Sequence, residues 1–344
     1  MKSLSSLAEV AKLSVSSAPR RTNFTRAPTL PREFYVRSSG GALAFIAFAL
    51  ALWIVPGALA TWLARDVPLA WWALVPTLVA LSLLASHGLH LVGWVGHEGF
   101  HFNLFKSRLT SAVVGVVVSS ALVVFFQTGV AIEHFNHHRF ANTDKDPDLR
   151  LFSRQKGFWA RLFLTRSRAN RAFFRHSLRL ARGLPLEMDE HGLPLPRSTY
   201  EQLARLNFAC CLLWFGGYLL LLDLDPLRTT FSVIIPLLLA NLCTGLRPYL
   251  EHANTDAKLQ SCARSRNYWL LVAFYFGNSL HLEHHLYPSV PCYRLPRVHR
   301  WLLEHGFISR EHSSYDQTGV RSWRWAGASH SYGTLDPLPT RSQP

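Results

Sequence analysis

The chain is short of charge, of acidic residues above all, and of cysteine. Only 17% of its 344 residues are charged, against 49% hydrophobic, a balance that argues against a soluble domain and for one that meets lipid. Acidic side chains number 21 against 36 lysines and arginines, for a net charge of +15. The surface is therefore suited to anionic lipid, an acidic protein or nucleic acid. No RNA-binding, zinc-finger or helix-turn-helix pattern is present, so no nucleic-acid partner is expected. The five cysteines, Cys210, Cys211, Cys243, Cys262 and Cys292, form no C-x-x-C pair, and three lie inside apolar runs. That argues against a disulfide framework and against a structural zinc site. Also missing are a His-Pro-Gly-Gly haem motif, any iron–sulfur or rubredoxin cysteine pattern, and a short-period repeat.

Apolar runs, by contrast, are abundant. Gly41–Ala64, Val67–Gly96, Leu109–Ile132, Leu206–Leu222 and Thr229–Leu246 are 24, 30, 24, 17 and 18 residues long and free of Asp, Glu, Lys and Arg. A spanning helix needs about 20 residues. Tyr268–Leu280 is apolar but too short to span. The N-terminal tail carries seven Lys/Arg and the segment from Arg139 to Arg205 carries fourteen, which puts both on the cytosolic side. The first two runs then form one hairpin and the last two another. Residues 1–39, basic and serine-rich, are expected as a disordered cytosolic tail, with a transit peptide as the alternative; the pattern does not fit a secretory signal. Residues 40–312 are expected as the membrane domain, and 313–344 as a mobile tail.

Histidine is the most informative residue. Eight of 17 fall in three clusters: His97 and His101 in HEGFH; His134, His137 and His138 in HFNHH; His281, His284 and His285 in HLEHH. Spacings of three and four put each set on one helical face, and imidazole is the commonest metal ligand. One HExxH alone would suggest a zinc protease, but a catalytic zinc takes about three protein ligands, and eight overshoot it. A pair of irons would use this many. If Leu109–Ile132 crossed the membrane, the first two clusters would lie on opposite faces, so this run is expected to be re-entrant or in-plane. Tyr268–Leu280 is expected to lie similarly. His87 and His90 precede the first cluster, and His90 shares a helix face with His97, yet it is ~10 Å from His97 along a helix rising about 1.5 Å per residue. Both are read as interfacial histidines, and the remaining histidines, His176 and His299 among them, as ordinary ones. Phe158–Gly183, with Arg161, Arg168, Arg171, Arg175, Arg179 and Arg182 at helical steps, is read as a surface-lying helix or a solvated basic face.

The three motifs resemble the histidine boxes of the integral-membrane fatty acid desaturase and hydroxylase superfamily. HLEHHLYPSVPCYRLP (His281–Pro296) is similar to the last box and the residues just after it. HHRFANTDKDPD (His137–Asp148) is similar to the middle box and its trailing acidic residues. The resemblance covers roughly residues 85 to 305. It implies an all-α integral membrane fold, two transmembrane hairpins carrying a cytosolic helical cap, and a non-haem centre of two iron ions. It further implies O₂ as co-substrate and a separate electron donor of ferredoxin, rubredoxin or cytochrome type. His252, in RPYLEH, resembles the extra ligand motif of membrane alkane hydroxylases and makes a ninth candidate. The middle box, with two residues between His134 and His137, keeps desaturase spacing, so the chain mixes features of two branches. The expected activity is desaturation of a fatty acyl chain, with hydroxylation of an acyl, alkane or carotenoid-like substrate as the alternative. A zinc membrane hydrolase and a non-enzymatic scaffold remain the other classes. Metal-bound imidazoles lean on carboxylates, which nominates Glu98, Glu133, Asp146, Glu251 and Glu283 as supports, and Asn278 as a holder of metal-bound water.

Overall fold

The computed structural model describes residues 26–190, 193–309 and 314–316. The expectations for residues 1–25, for His191, His312 and His330, and for most of 313–344 lie outside those residues. Eleven helices are used below: α1 (Ser39–Asp66), α2 (Trp71–Phe100), α3 (Arg108–Ser119), α4 (Gln127–Phe140), α5 (Pro147–Phe152), α6 (Phe158–Ala181), α7 (Arg197–Leu224), α8 (Pro226–His252), α9 (Trp269–Phe274), α10 (His281–Leu286) and α11 (Leu295–Glu304). Two short strands, β1 (Ser265–Arg266) and β2 (Tyr315–Asp316), pair in parallel.

Four helices, α1, α2, α7 and α8, are long and apolar enough to cross a membrane. α1 starts where Ser38 accepts a hydrogen bond from the Gly41 amide, relieving one of the unpaired N–H groups of the first turn. It packs along α2 across the link of residues 67–70. Gly88 permits this closeness: a Cβ there would lie 2.2 Å from the Trp53 backbone nitrogen. α7 and α8 behave differently. They touch mainly around Asp225, and α8 packs instead on α2 and α6 while α7 packs on α3, α4 and α6. The second pair is splayed where the first is closed. α8 also contains a π-helical stretch, Thr230–Ile234.

The third apolar run breaks. α3 with its 3₁₀ extension and α4 meet at an angle of 116°, across Val123, whose φ of 47° lies in a region that β-branched residues avoid. Backbone groups freed at such a break must find partners away from water, and α6 and α7 supply them. Tyr218 donates its hydroxyl to the Ala121 carbonyl at 2.7 Å, Asn207 accepts from the Thr128 amide at 3.3 Å, and Ser177 accepts from the Gly129 amide at 2.7 Å. The run is therefore bent rather than straight, and the bend brings the first two histidine clusters together. Tyr268–Leu280 likewise forms only the six-residue α9, closed by Phe276 and Gly277 at positive φ.

Three expectations need correction. The basic stretch forms α6, but it is no uniformly surface-lying helix: Arg161 is buried, 4.2 Å from the Tyr249 ring centroid, because α6 is clasped by α4, α7 and α8. The segment expected as a mobile C-terminal tail includes Ser314–Asp316, which docks as β2 with Tyr315 buried. The end of the expected N-terminal tail also packs: Leu30 is buried, and the Pro28 carbonyl accepts from the Tyr287 hydroxyl at 2.7 Å.

Candidate metal centre

α2 carries His97 on its last turn and His101 just past its end. The bend brings α4 back beneath them with His134, His137 and His138, α8 ends on His252, and α10 presents His281, His284 and His285. α2 reaches α3 by the mutual approach of Gly99 and Gly115, where a Cβ on Gly99 would lie 2.7 Å from the Gly115 Cα. These nine rings gather in two groups. His97, His101, His134, His138 and His284 form one, and His137, His252, His281 and His285 the other; within each, one nitrogen per ring lies within 4.8 Å of all the rest. Nε2 atoms face each other at 2.8 Å (His97 and His134), 2.9 Å (His134 and His138), 3.0 Å (His138 and His284), 3.0 Å (His252 and His281) and 3.2 Å (His281 and His285).

The donor set suits metal ions. A neutral imidazole carries one N–H. His252 spends its Nδ1–H on the Cys262 carbonyl at 3.1 Å, so it turns a bare Nε2 lone pair inward, and His137 is held through Nδ1 by Asp146 at 2.9 Å. His101 Nε2 is buried with no hydrogen-bond partner. Converging lone pairs repel unless a cation lies among them. Burial holds His134, His138, His281, His284 and His285 well below the usual histidine pKa and His101 at about 3, which keeps these rings in the neutral, ligating form. His137 differs: burial works to lower it, but Asp146 and Asp148 together outweigh that and raise it to about 9.

The carboxylates divide. Asp146, fully buried, holds His137 and also accepts from the Asn142 and Asp148 amides. Glu251 lies 3.6 Å from His281 Nε2 and pairs with Arg247 at 2.8 Å. Glu98 lies 3.5 Å from His97 Nδ1 and accepts from the Cys292 amide at 2.9 Å. The structure does not bring the other three onto a box histidine. Glu133 pairs with His176 at 3.0 Å. Glu283 accepts from His299 Nδ1 at 2.6 Å, from the Tyr315 hydroxyl at 3.1 Å and from Ser265. Asn278 donates to the Tyr275 carbonyl at 3.1 Å, a turn contact. His176 and His299, read from sequence as ordinary, are thus the imidazole partners of Glu133 and Glu283. No spacing marks them, since their partners are 43 and 16 residues away in sequence. His87 and His90 stay outside both groups: His87 bonds the Phe274 carbonyl at 2.9 Å, and His90 accepts from the Trp94 indole at 3.1 Å.

A cavity of about 140 Å³ opens beside the rings, lined by His97, His134, His137, His252 and His281 and walled by Phe125, Phe152, Phe173 and Leu237. On another side, a groove of about 960 Å³ is edged by Lys145, Arg150, Arg154, Arg168, Arg171 and Arg175, with Glu133 and His176 among its lining.

Helices able to span a membrane, a sharply bent third apolar run and buried imidazoles drawn from four segments fit a membrane protein with a site for metal. The chain belongs to the fatty acid desaturase family, whose profile matches residues 69–319. It is 26% identical over 252 residues to an acyl-lipid 8-desaturase of Rebecca salina, covering 67% of this chain and 58% of that protein. It is also 26% identical over 275 residues to a beta-carotene ketolase of Paracoccus sp. (strain N81106 / MBIC 01143), covering 72% of this chain and 91% of that protein. The chain thus spans little more than half the length of the desaturase it matches.

Proposed function

We propose that the chain is an O₂-dependent oxidoreductase of the membrane, with two iron ions held by the nine histidines, that attacks an unactivated C–H bond of a lipid-like substrate. The observation that carries this reading is the pair of imidazole groups, five and four strong, beside one cavity. A catalytic zinc site takes about three protein ligands; nine imidazoles suit a pair of irons instead. When bound, iron supplies one-electron and O₂ chemistry. The protein's part is positional. Asp146 fixes the His137 ring, and the Glu251–Arg247 pair lies against His281. The phenylalanine walls of the cavity exclude water and align an alkyl segment with the imidazole faces.

Desaturation of a fatty acyl chain is the leading outcome: O₂ takes two hydrogens from the substrate and two electrons and two protons from outside, leaving a C=C bond and two waters. The electrons come from a separate donor of ferredoxin, rubredoxin or cytochrome type. The basic groove supports this, since it would steer an acidic protein to Glu133, next in sequence to His134. The charge asymmetry of the sequence supports a cytosolic position for this face. Oxygen insertion is the second reading, favoured by the relative named a ketolase, of which the chain covers 91%. Expression in a lipid-producing host under ¹⁸O₂, with mass spectrometry of the lipids and metal analysis of the purified chain, tests both. Two irons and an unlabelled unsaturated product support desaturation; label in the product replaces it with oxygen insertion; one zinc and O₂-independent turnover overturn the proposal.

A further inference from the structure

The cavity beside the histidines is not uniformly apolar. Two arginines line it. Arg247 is neutralised by Glu251 at 2.8 Å and lies 3.7 Å over the Trp94 ring. Arg166, on α6, is held between aromatic rings, 4.3 Å from the Phe125 centroid and 5.8 Å from that of Phe173. Among the described residues it makes no hydrogen bond and no ion pair. Burial, with Arg247 nearby, lowers its pKa to about 9, so it is cationic at neutral pH. One turn further along α6, Asn170 also lines the cavity; its amide nitrogen is 3.2 Å from Asn241 Oδ1, while its own Oδ1 is buried and without a partner. Gln127 Oε1, across the cavity, is buried and unpartnered as well. Unsatisfied buried acceptors are costly, and two of them, with the Arg166 guanidinium, line one cavity.

We propose that Arg166 and Asn170 form a subsite for the oxygen-bearing end of an otherwise apolar substrate. The guanidinium donates to a carboxylate, carbonyl or hydroxyl oxygen, and Asn170 Oδ1 accepts from a hydroxyl. This rests on the reading that the cavity takes substrate. Two kinds of molecule carry such an end, a fatty acid with its carboxylate and a cyclic terpenoid with an oxygenated ring.

The test is equilibrium dialysis of radiolabelled probes against the detergent-solubilised full chain, a readout independent of turnover. One probe pair is hexadecanoate and hexadecane; the other is a trimethylcyclohexene with and without a ring hydroxyl. The oxygenated member of one pair should bind about tenfold tighter or more, the scale of a charge-assisted hydrogen bond, and the pair showing the gap identifies the substrate class. Arg166→Gln should erase the gap, and Asn170→Ala should narrow it in the hydroxyl-bearing pair. Equal binding within both pairs in the unmodified chain overturns the proposal, whether or not Arg166→Gln folds. So does a gap that survives in a folded Arg166→Gln protein. Metal analysis that finds no iron would sink the di-iron reading and leave this result standing, so the two fail separately.

Discussion

The two halves of α2 follow opposite rules. In the first, Trp71, Trp72, Val75 and Val79 are 77%, 69%, 53% and 53% exposed, apolar groups with no protein cover. In the second, Leu89, Leu91, Val92, Val95, His97, Glu98 and Phe100 are all buried. One half turns apolar side chains outward, as lipid-facing surface does; the other buries polar groups among packed side chains, where each needs a partner. The difference shows that burial, not polarity, separates the part of the molecule that does chemistry from the part that anchors it. At 30 residues and a rise of about 1.5 Å each, α2 is longer than a hydrocarbon core of about 30 Å. Its buried C-terminal half is the stretch that carries the histidines.

Four substitutions break or sharpen that contrast. The largest effect is expected from His138→Ala, which removes the ring joining His134 and His284 in the five-membered group. Iron content and product formation should both collapse; full iron loading with unchanged product would remove His138 from the centre. Next, Gly99→Leu drives a side chain into the Gly115 backbone, 2.7 Å from its Cβ. Overpacking of this kind costs about 1–3 kcal/mol, so thermal unfolding should shift sharply downward. Asp146→Asn keeps the volume but removes the charge that orients His137. Metal affinity in chelator competition should fall about 10–100-fold with the fold retained. The smallest effect is expected from Val75→Ala on the lipid-facing half, within about 0.5 kcal/mol and with iron content unchanged. A large loss there would show that this face is covered by another protein surface.

The helices and the box histidines were legible because their signals are local. A charge-free run or an i, i+4 histidine pair is written within one turn or one helix, and His252 was reachable from the motif around it. The break at Val123 was legible by logic rather than by pattern, since only a run that turns back can unite HEGFH with HFNHH. Pairings across long sequence gaps were not legible. Glu133 adjoins His134 in sequence, yet its carboxylate meets His176; Glu283 lies among three histidines and meets His299 and Tyr315 instead. Adjacency put both acids near imidazoles, but on a helix neighbouring residues point about 100° apart, so the side chain next to a ligand leaves in another direction. Arg161 was misplaced for a related reason. Its spacing matches that of the exposed arginines, and only the packing of α8 on α6 turns it inward.

The contact of Tyr315 with Glu283 has a consequence for how the protein is made. Box three can be held from both sides only when β2 lies against β1, and β2 comes 30 residues after His285. The helices can enter the bilayer one by one as the ribosome delivers them, but the strand that buttresses box three through Glu283 arrives afterward. Metal loading is thus expected as a late event of biogenesis, completed on a chain whose membrane insertion is already done. Ribosome-stalled chains ending before Ser314 should integrate normally and retain iron poorly.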